Sequence, residues 1–155
     1  MNEFKKKHSS ISWWVVSLFL LMPIKIALAD CDYQSIDWSK VTVVSDDLYH
    51  FRFHPNELDF ETCKPYELKI SNTSGRIGHS FTAPDFFKSI KLRNPDTGDM
   101  STPSYEELML APQSEIDIQF VPAMAGGYPL WCSHKFHTSL GMKGWIYVYD
   151  QQKPQ

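Results

Sequence analysis

Between residues 128 and 148 the chain reads Tyr-Pro-Leu-Trp-Cys-Ser-His-Lys-Phe-His-Thr-Ser-Leu-Gly-Met-Lys-Gly-Trp-Ile-Tyr-Val, and no other stretch restricts the fold as much. Cys132, His137 and Met142 fall within eleven residues. Residues 128–132 and 145–149 on either side are aromatic and β-branched enough to read as strands. Two strands must therefore deliver a thiol, an imidazole and a thioether to one end of a sheet on a single loop, which Gly141 and Gly144 help to close.

The remaining sequence agrees with a β protein. Residues 41–44 are a β-branched run, and Asp46-Asp47 is expected to turn it. Residues 48–53 are aromatic-rich and strand-like. Residues 57–61, 66–72 and 115–121 alternate polar and apolar side chains, the period of a half-buried strand. Pro84 opens a bend with a helical turn, Asn94-Pro95-Asp96-Thr97-Gly98-Asp99 is a dense turn cluster, and residues 105–110 suit a short helix or a strand. About seven or eight short strands, no long helical pattern and no repeat predict an all-β fold. The expected form is a single-domain Greek-key β-sandwich.

The first 29 residues read as a secretory signal. Lys5, Lys6 and Lys7 form a positive head, residues 11–22 form an apolar run broken by Ser12 and Ser17, and Ala27-Leu28-Ala29 offers small residues for cleavage before Asp30. The apolar run is about a dozen residues, against the roughly twenty needed to span a bilayer. Leu28-Ala29-Asp30-Cys31 departs from a lipoprotein signal at Asp30, where a small residue is required. The expected division is a signal peptide over 1–29 and one domain over 30–155, with residues 151–155 as a tail and a periplasmic or secreted product.

Export bears on charge and on cysteine. The whole chain has 15 basic and 18 acidic side chains. Without the four lysines and one glutamate of residues 1–29, the acidic excess doubles to six. That balance argues against nucleic acid as a partner and allows steering toward a basic protein. Three cysteines in an oxidising compartment leave one thiol over. If Cys132 serves a metal, Cys31 and Cys63 are free to pair.

Thiolate and thioether are soft ligands and imidazole is intermediate. The set favours copper, and His2Cys with a long axial Met is the blue-copper electron-transfer arrangement. The second imidazole has to come from elsewhere, and His79 in Ile-Gly-His-Ser-Phe is the expected source. The expected metal ligands are therefore His79, Cys132, His137 and Met142, holding one copper ion that alternates between Cu(I) and Cu(II). His134 is the alternative to His137, with an outward orientation expected for it. His50 and His54, four apart on a presumed strand, would share a face. Two imidazoles without a third ligand are more simply surface residues.

The stretch resembles the cupredoxins, whose C-terminal pattern is Tyr-x-aromatic-x-Cys, a short insert, His, Gly-Met, then Gly-x-hydrophobic-x-Val. Tyr128, Cys132, His137, Gly141-Met142, Gly144, Ile146 and Val148 fit it. The ligand spacing is similar to that of the rusticyanin type. The resemblance covers roughly residues 41–150 and implies that the Ser80 backbone N–H, next to His79, bonds the Cys132 sulfur. The family usually has a Gly where this chain has Cys63, a departure that suits a disulfide.

As expectations, the resemblance implies a monomeric one-electron carrier, not an enzyme. Its redox partners would be a cytochrome, an oxidase or a reductase, approaching over an apolar surface of Phe136, Leu140 and Met142. The alternative is a periplasmic copper-binding or delivery protein for copper resistance or oxidase assembly. A multicopper oxidase would need several His-x-His pairs, and the chain has none.

Overall fold

The computed structural model describes residues 31–150; the expected signal peptide and the tail at 151–155 lie outside them. A 3-10 turn, Trp38–Lys40, leads into β1 (Thr42–Tyr49), β2 (Arg52–His54), β3 (Glu57–Glu61), β4 (Tyr66–Asn72) and β5 (His79–Thr82). After α1 (Pro84–Lys88) come β6 (Ile90–Arg93), β7 (Met100–Ser101), β8 (Glu107–Leu110), β9 (Ser114–Pro122), β10 (Gly126–Trp131) and β11 (Lys143–Tyr149). One sheet has the order β2-β1-β4-β9-β6-β7 and the other β3-β11-β10-β5-β8. The pairs β1–β4 and β3–β11 are parallel and the rest antiparallel. The protein is thus an all-β sandwich of two sheets with almost no helix.

The core follows from the alternation. In β4, Tyr66, Leu68, Ile70 and Asn72 are buried while the residues between them are half-buried. Phe53, Phe60, Phe81, Phe86, Phe87 and Phe120 are essentially inaccessible, and Phe60 meets Phe120 edge-on at 5.2 Å between centroids. Each such ring contributes roughly 1.5–3 kcal/mol by leaving water, and the edge-on geometry suits the ring quadrupoles. The short α1 belongs to this core, because Phe86 and Phe87 anchor it.

Several expectations are corrected. Eleven strands are present among the described residues, not seven or eight. Ile90-Lys91-Leu92-Arg93 alternates and forms β6, joined to β7 by the turn cluster, in which the Asn94 carboxamide oxygen accepts from the amides of Asp96 and Thr97. Residues 107–110 resolve to a strand. Asp46 and Asp47 do not turn the chain but lie within β1, with Asp46 fully buried. The turn falls at His50 and Phe51, both at positive φ (50° and 58°). His50 and His54 therefore lie at the tip and on the return arm of a hairpin and share no strand face.

The Cys31–Cys63 disulfide is present, with Cα atoms 5.2 Å apart. It ties the entry segment to the residue pair that follows β3. That segment is also held by the Arg93 guanidinium, 5.0 Å above the Trp38 ring.

Candidate metal centre

His79 starts β5, Cys132 follows β10, and Met142 precedes β11, so all three stand at strand ends. The loop between Cys132 and Met142 is folded on itself. The Cys132 amide donates to the Met142 carbonyl (3.2 Å), the Met142 amide to the His137 carbonyl (3.0 Å), and the Thr138 hydroxyl to the Cys132 carbonyl (2.7 Å). Gly141 permits this closure at φ 104°, a conformation that a side chain would strain.

His79 is positioned from the other side. The Asn72 carboxamide donates to the carbonyls of Ile77 and Ala111 (both 2.9 Å) and accepts from the Ser74 amide (3.1 Å), which fixes the loop before β5. The Ser74 hydroxyl then meets His79 Nε2 at 3.0 Å. In the tautomer that donates from Nε2–H to Ser74, Nδ1 is left with a free lone pair. That Nδ1 lies 3.2 Å from His137 Nδ1, which is itself 3.3 Å from Cys132 Sγ.

The donor atoms of His79, Cys132 and His137 all lie within 4.8 Å of one another. Cys132 and Met142 are wholly buried, His79 is 1% exposed, and His137 is partly exposed. Burial, with His137 and His134 nearby, holds His79 down to about 4, and burial followed by His134 lowers His137 as well. Both imidazoles are therefore neutral at pH 7, the form that ligates. Two imidazole nitrogens and a thiol with a thioether following them in the loop suit copper by their softness. The carboxylates that Ca or Mg would require are absent from this cluster.

The structure brings His79, Cys132 and His137 into one cluster, and Met142 is joined to Cys132 through the backbone of the closed loop. His134 stays outside the cluster of three, but it is not turned outward. Its ring stacks on His137 at 5.3 Å, and it packs against Gly78, where an added Cβ would come within 3.3 Å of its Nε2. The Ser80 amide donates to Cys132 Sγ at 3.3 Å.

Sequence reasoning missed Phe51, whose ring meets His137 edge-on at 4.8 Å and His79 at 6.0 Å. It also missed Ser74, although a Gly/Ser loop just before His79 was a visible hint. Phe136 and Leu140 beside His137 are 66% and 58% exposed, but Met142, expected to share their surface, is buried.

No protein-family model matches the chain, and no curated protein matches it in sequence. Solved structures do match. Dithionite-reduced auracyanin from the photosynthetic bacterium Roseiflexus castenholzii is similar over 69% of this chain and 96% of its own, at 18% identity and a TM-score of 0.52. The fold is that of the cupredoxins. A multi-copper oxidase from Pediococcus acidilactici is also similar in structure, with a TM-score of 0.54 and 16% identity. That likeness covers 82% of this chain but only 30% of the oxidase, so it concerns one part of the larger protein.

Proposed function

We propose that this chain is an exported type 1 copper protein that carries single electrons between redox proteins, with His79, Cys132, His137 and Met142 as its metal ligands. The observation that carries the reading is the cluster of three donor atoms within 4.8 Å, two of its residues buried and His137 partly exposed, held by hydrogen bonds that do not depend on metal. A bound copper ion would supply the one-electron couple. The protein's part is to keep the donors in place and to exclude water. Asn72 and Ser74 orient His79, the closed loop holds Cys132, His137 and Met142, and Phe51 covers both imidazoles. Little has to move when the charge changes.

Exposed Phe136 and Leu140 beside His137 supply an apolar landing surface for a cytochrome, oxidase or reductase, which the acidic excess of residues 30–155 would help steer. The export reading rests on residues 1–29 and on the Cys31–Cys63 bridge, which belongs to an oxidising compartment. Among the described residues no helix is long and apolar enough to cross a membrane. A copper-delivery role would favour ligands open to a partner, whereas His79 and Cys132 are 1% and 0% exposed.

The test is the visible spectrum of the copper-loaded protein. An intense thiolate-to-copper band is expected, reversible on reduction and resistant to a mild chelator. Cys132→Ser should abolish it with the β-fold retained by circular dichroism. A Ser variant that stays intensely coloured removes Cys132 from the site, and ready loss of copper to the chelator favours delivery.

A further inference from the structure

Cys132 Sγ has a second neighbour besides the Ser80 amide: the Ser80 hydroxyl, 3.6 Å away. That hydroxyl belongs to a network that runs to the edge of the sheet. Ser80 Oγ accepts from the Ser133 amide (2.7 Å) and lies 2.9 Å from Thr82 Oγ1 and 3.0 Å from Ser133 Oγ. Both of those hydroxyls donate to one oxygen, Oε2 of Glu107, at 3.0 Å from Thr82 and 2.6 Å from Ser133. Ser80 and Thr82 are buried, Glu107 is half-buried, and Ser133 is exposed. Glu107 and Thr82 are register partners across β5 and β8, so strand pairing itself brings the carboxylate here.

The proton count decides what this network does. An ionised carboxylate only accepts, and a hydroxyl has one proton. Thr82 and Ser133 each spend theirs on Glu107, so toward Ser80 they present lone pairs alone. The Ser80 proton then has three candidate acceptors: two oxygens at 2.9 and 3.0 Å and a sulfur at 3.6 Å. The oxygens are at full hydrogen-bond distance and are the stronger acceptors, so they win. Without Glu107, the buried Thr82 hydroxyl can turn its proton toward Ser80 Oγ. Ser133, exposed and no longer anchored by Glu107, is then the one oxygen left to compete with the sulfur for the Ser80 proton.

We propose that Glu107 is a positioning residue for the copper thiolate: by taking the hydroxyl protons of Thr82 and Ser133, it turns the Ser80 hydroxyl away from Cys132 Sγ and withholds a second hydrogen bond from the sulfur. Hydrogen bonding at the Cys sulfur tunes the potential of such a site. A bond that draws electron density from the thiolate favours the reduced metal. Glu107 therefore holds the potential down. The inference rests on Cys132 being a ligand, as proposed above, but the network is defined without metal.

The experiment compares wild type, Glu107→Ala, Ser80→Ala and the double variant, each in two forms. In the copper-loaded form, voltammetry reads the potential and the visible spectrum reads the thiolate band. In the metal-free form, Raman spectroscopy reads the S–H stretch of Cys132, which is the only thiol because the other two cysteines are bridged. Glu107→Ala is expected to raise the potential, shift the visible band to shorter wavelength and move the S–H band. In the Ser80→Ala background the S–H and visible-band shifts should vanish and the rise in potential should shrink to the part due to lost charge. Removing a nearby negative charge also raises a potential, but that effect needs no Ser80 hydroxyl. An equal rise in both backgrounds, or an unmoved S–H band, overturns the proposal. If Glu107→Ala does not fold, Thr82→Val with Ser133→Ala removes the same two oxygens and should give the same shifts. A chain that takes up no copper defeats the functional reading, and the S–H cycle still decides the role of Glu107.

Discussion

Asp46 is the buried group whose removal gives the clearest stability test. Its side chain lies inside β1 at 0% exposure; Oδ1 accepts from the His54 amide at 3.0 Å, and Oδ2 has no partner. Burial, outweighing that hydrogen bond, with the Asp47 charge beside it, pushes the carboxyl up to about 7 from 3.8. The folded chain thus binds a proton that the unfolded chain releases near pH 4. Stability from this group is intact below the unfolded value and falls as pH rises through the window up to about 7. The slope is about 1.4 kcal/mol per pH unit, and the whole loss is at most about 4 kcal/mol. Asp46→Asn keeps the oxygen that accepts from His54 and cannot ionise. Urea unfolding of the metal-free, disulfide-intact proteins at pH 5 to 8 is the assay. At pH 5 the unfolded aspartate is already ionised, so this linkage has cost the wild type about 1–2 kcal/mol, and the gap between the two proteins should widen by roughly a further 3 kcal/mol by pH 7. The variant should be the more stable at pH 8. His79, lowered to about 4, adds a term of opposite slope between about 4 and 6.5, but both proteins share it and it cancels in the difference. A difference that stays constant from pH 5 to 8 would refute the reasoning.

Gly144 faces the Asn56 backbone so closely that an added Cβ would overlap the Asn56 carbonyl oxygen, which accepts the Trp145 amide. Gly144→Ala is expected to cost about 1–3 kcal/mol in thermal unfolding while leaving the colour of the folded fraction unchanged. His134→Ala should keep the visible band and His137→Ala should lose or alter it; the reverse would exchange their roles. Replacing Met142 by Leu keeps its volume and removes a soft donor, so the potential should rise with colour retained. Gln offers a harder oxygen that favours Cu(II), so the potential should fall. Voltammetry giving one value for Leu, Met and Gln would place Met142 away from the metal.

Much of the fold was legible because its strands carry their own signal. The alternation at 66–72 and 115–121 gave β4 and β9 within a residue or two. The His79–Cys132–His137 cluster was legible because a thiol, an imidazole and a thioether at such spacing have few other uses and call for a second imidazole. The failures share a cause. Asp46-Asp47 looked like a turn because two adjacent carboxylates are seldom placed in a strand, and nothing local announces that one is buried. His50 and Phe51 take left-handed conformations without Gly or Asn to mark them, so a hairpin passed for one strand. Phe51 over the imidazoles and Glu107 behind Ser80 depend on pairings between distant segments, which no window of sequence contains.

The hydrogen bond from the Cys132 amide to the Met142 carbonyl acts as a neck. Above it the chain makes a nearly self-contained ring; below it β10 and β11 run paired from Trp131–Lys143 to Gly126–Val148. A residue gained or lost between Cys132 and His137 would be absorbed within the ring, because the neck shields the strand register from it. Such a chain can explore different ring lengths, and with them different outer surfaces around His137, while the sandwich underneath stays the same.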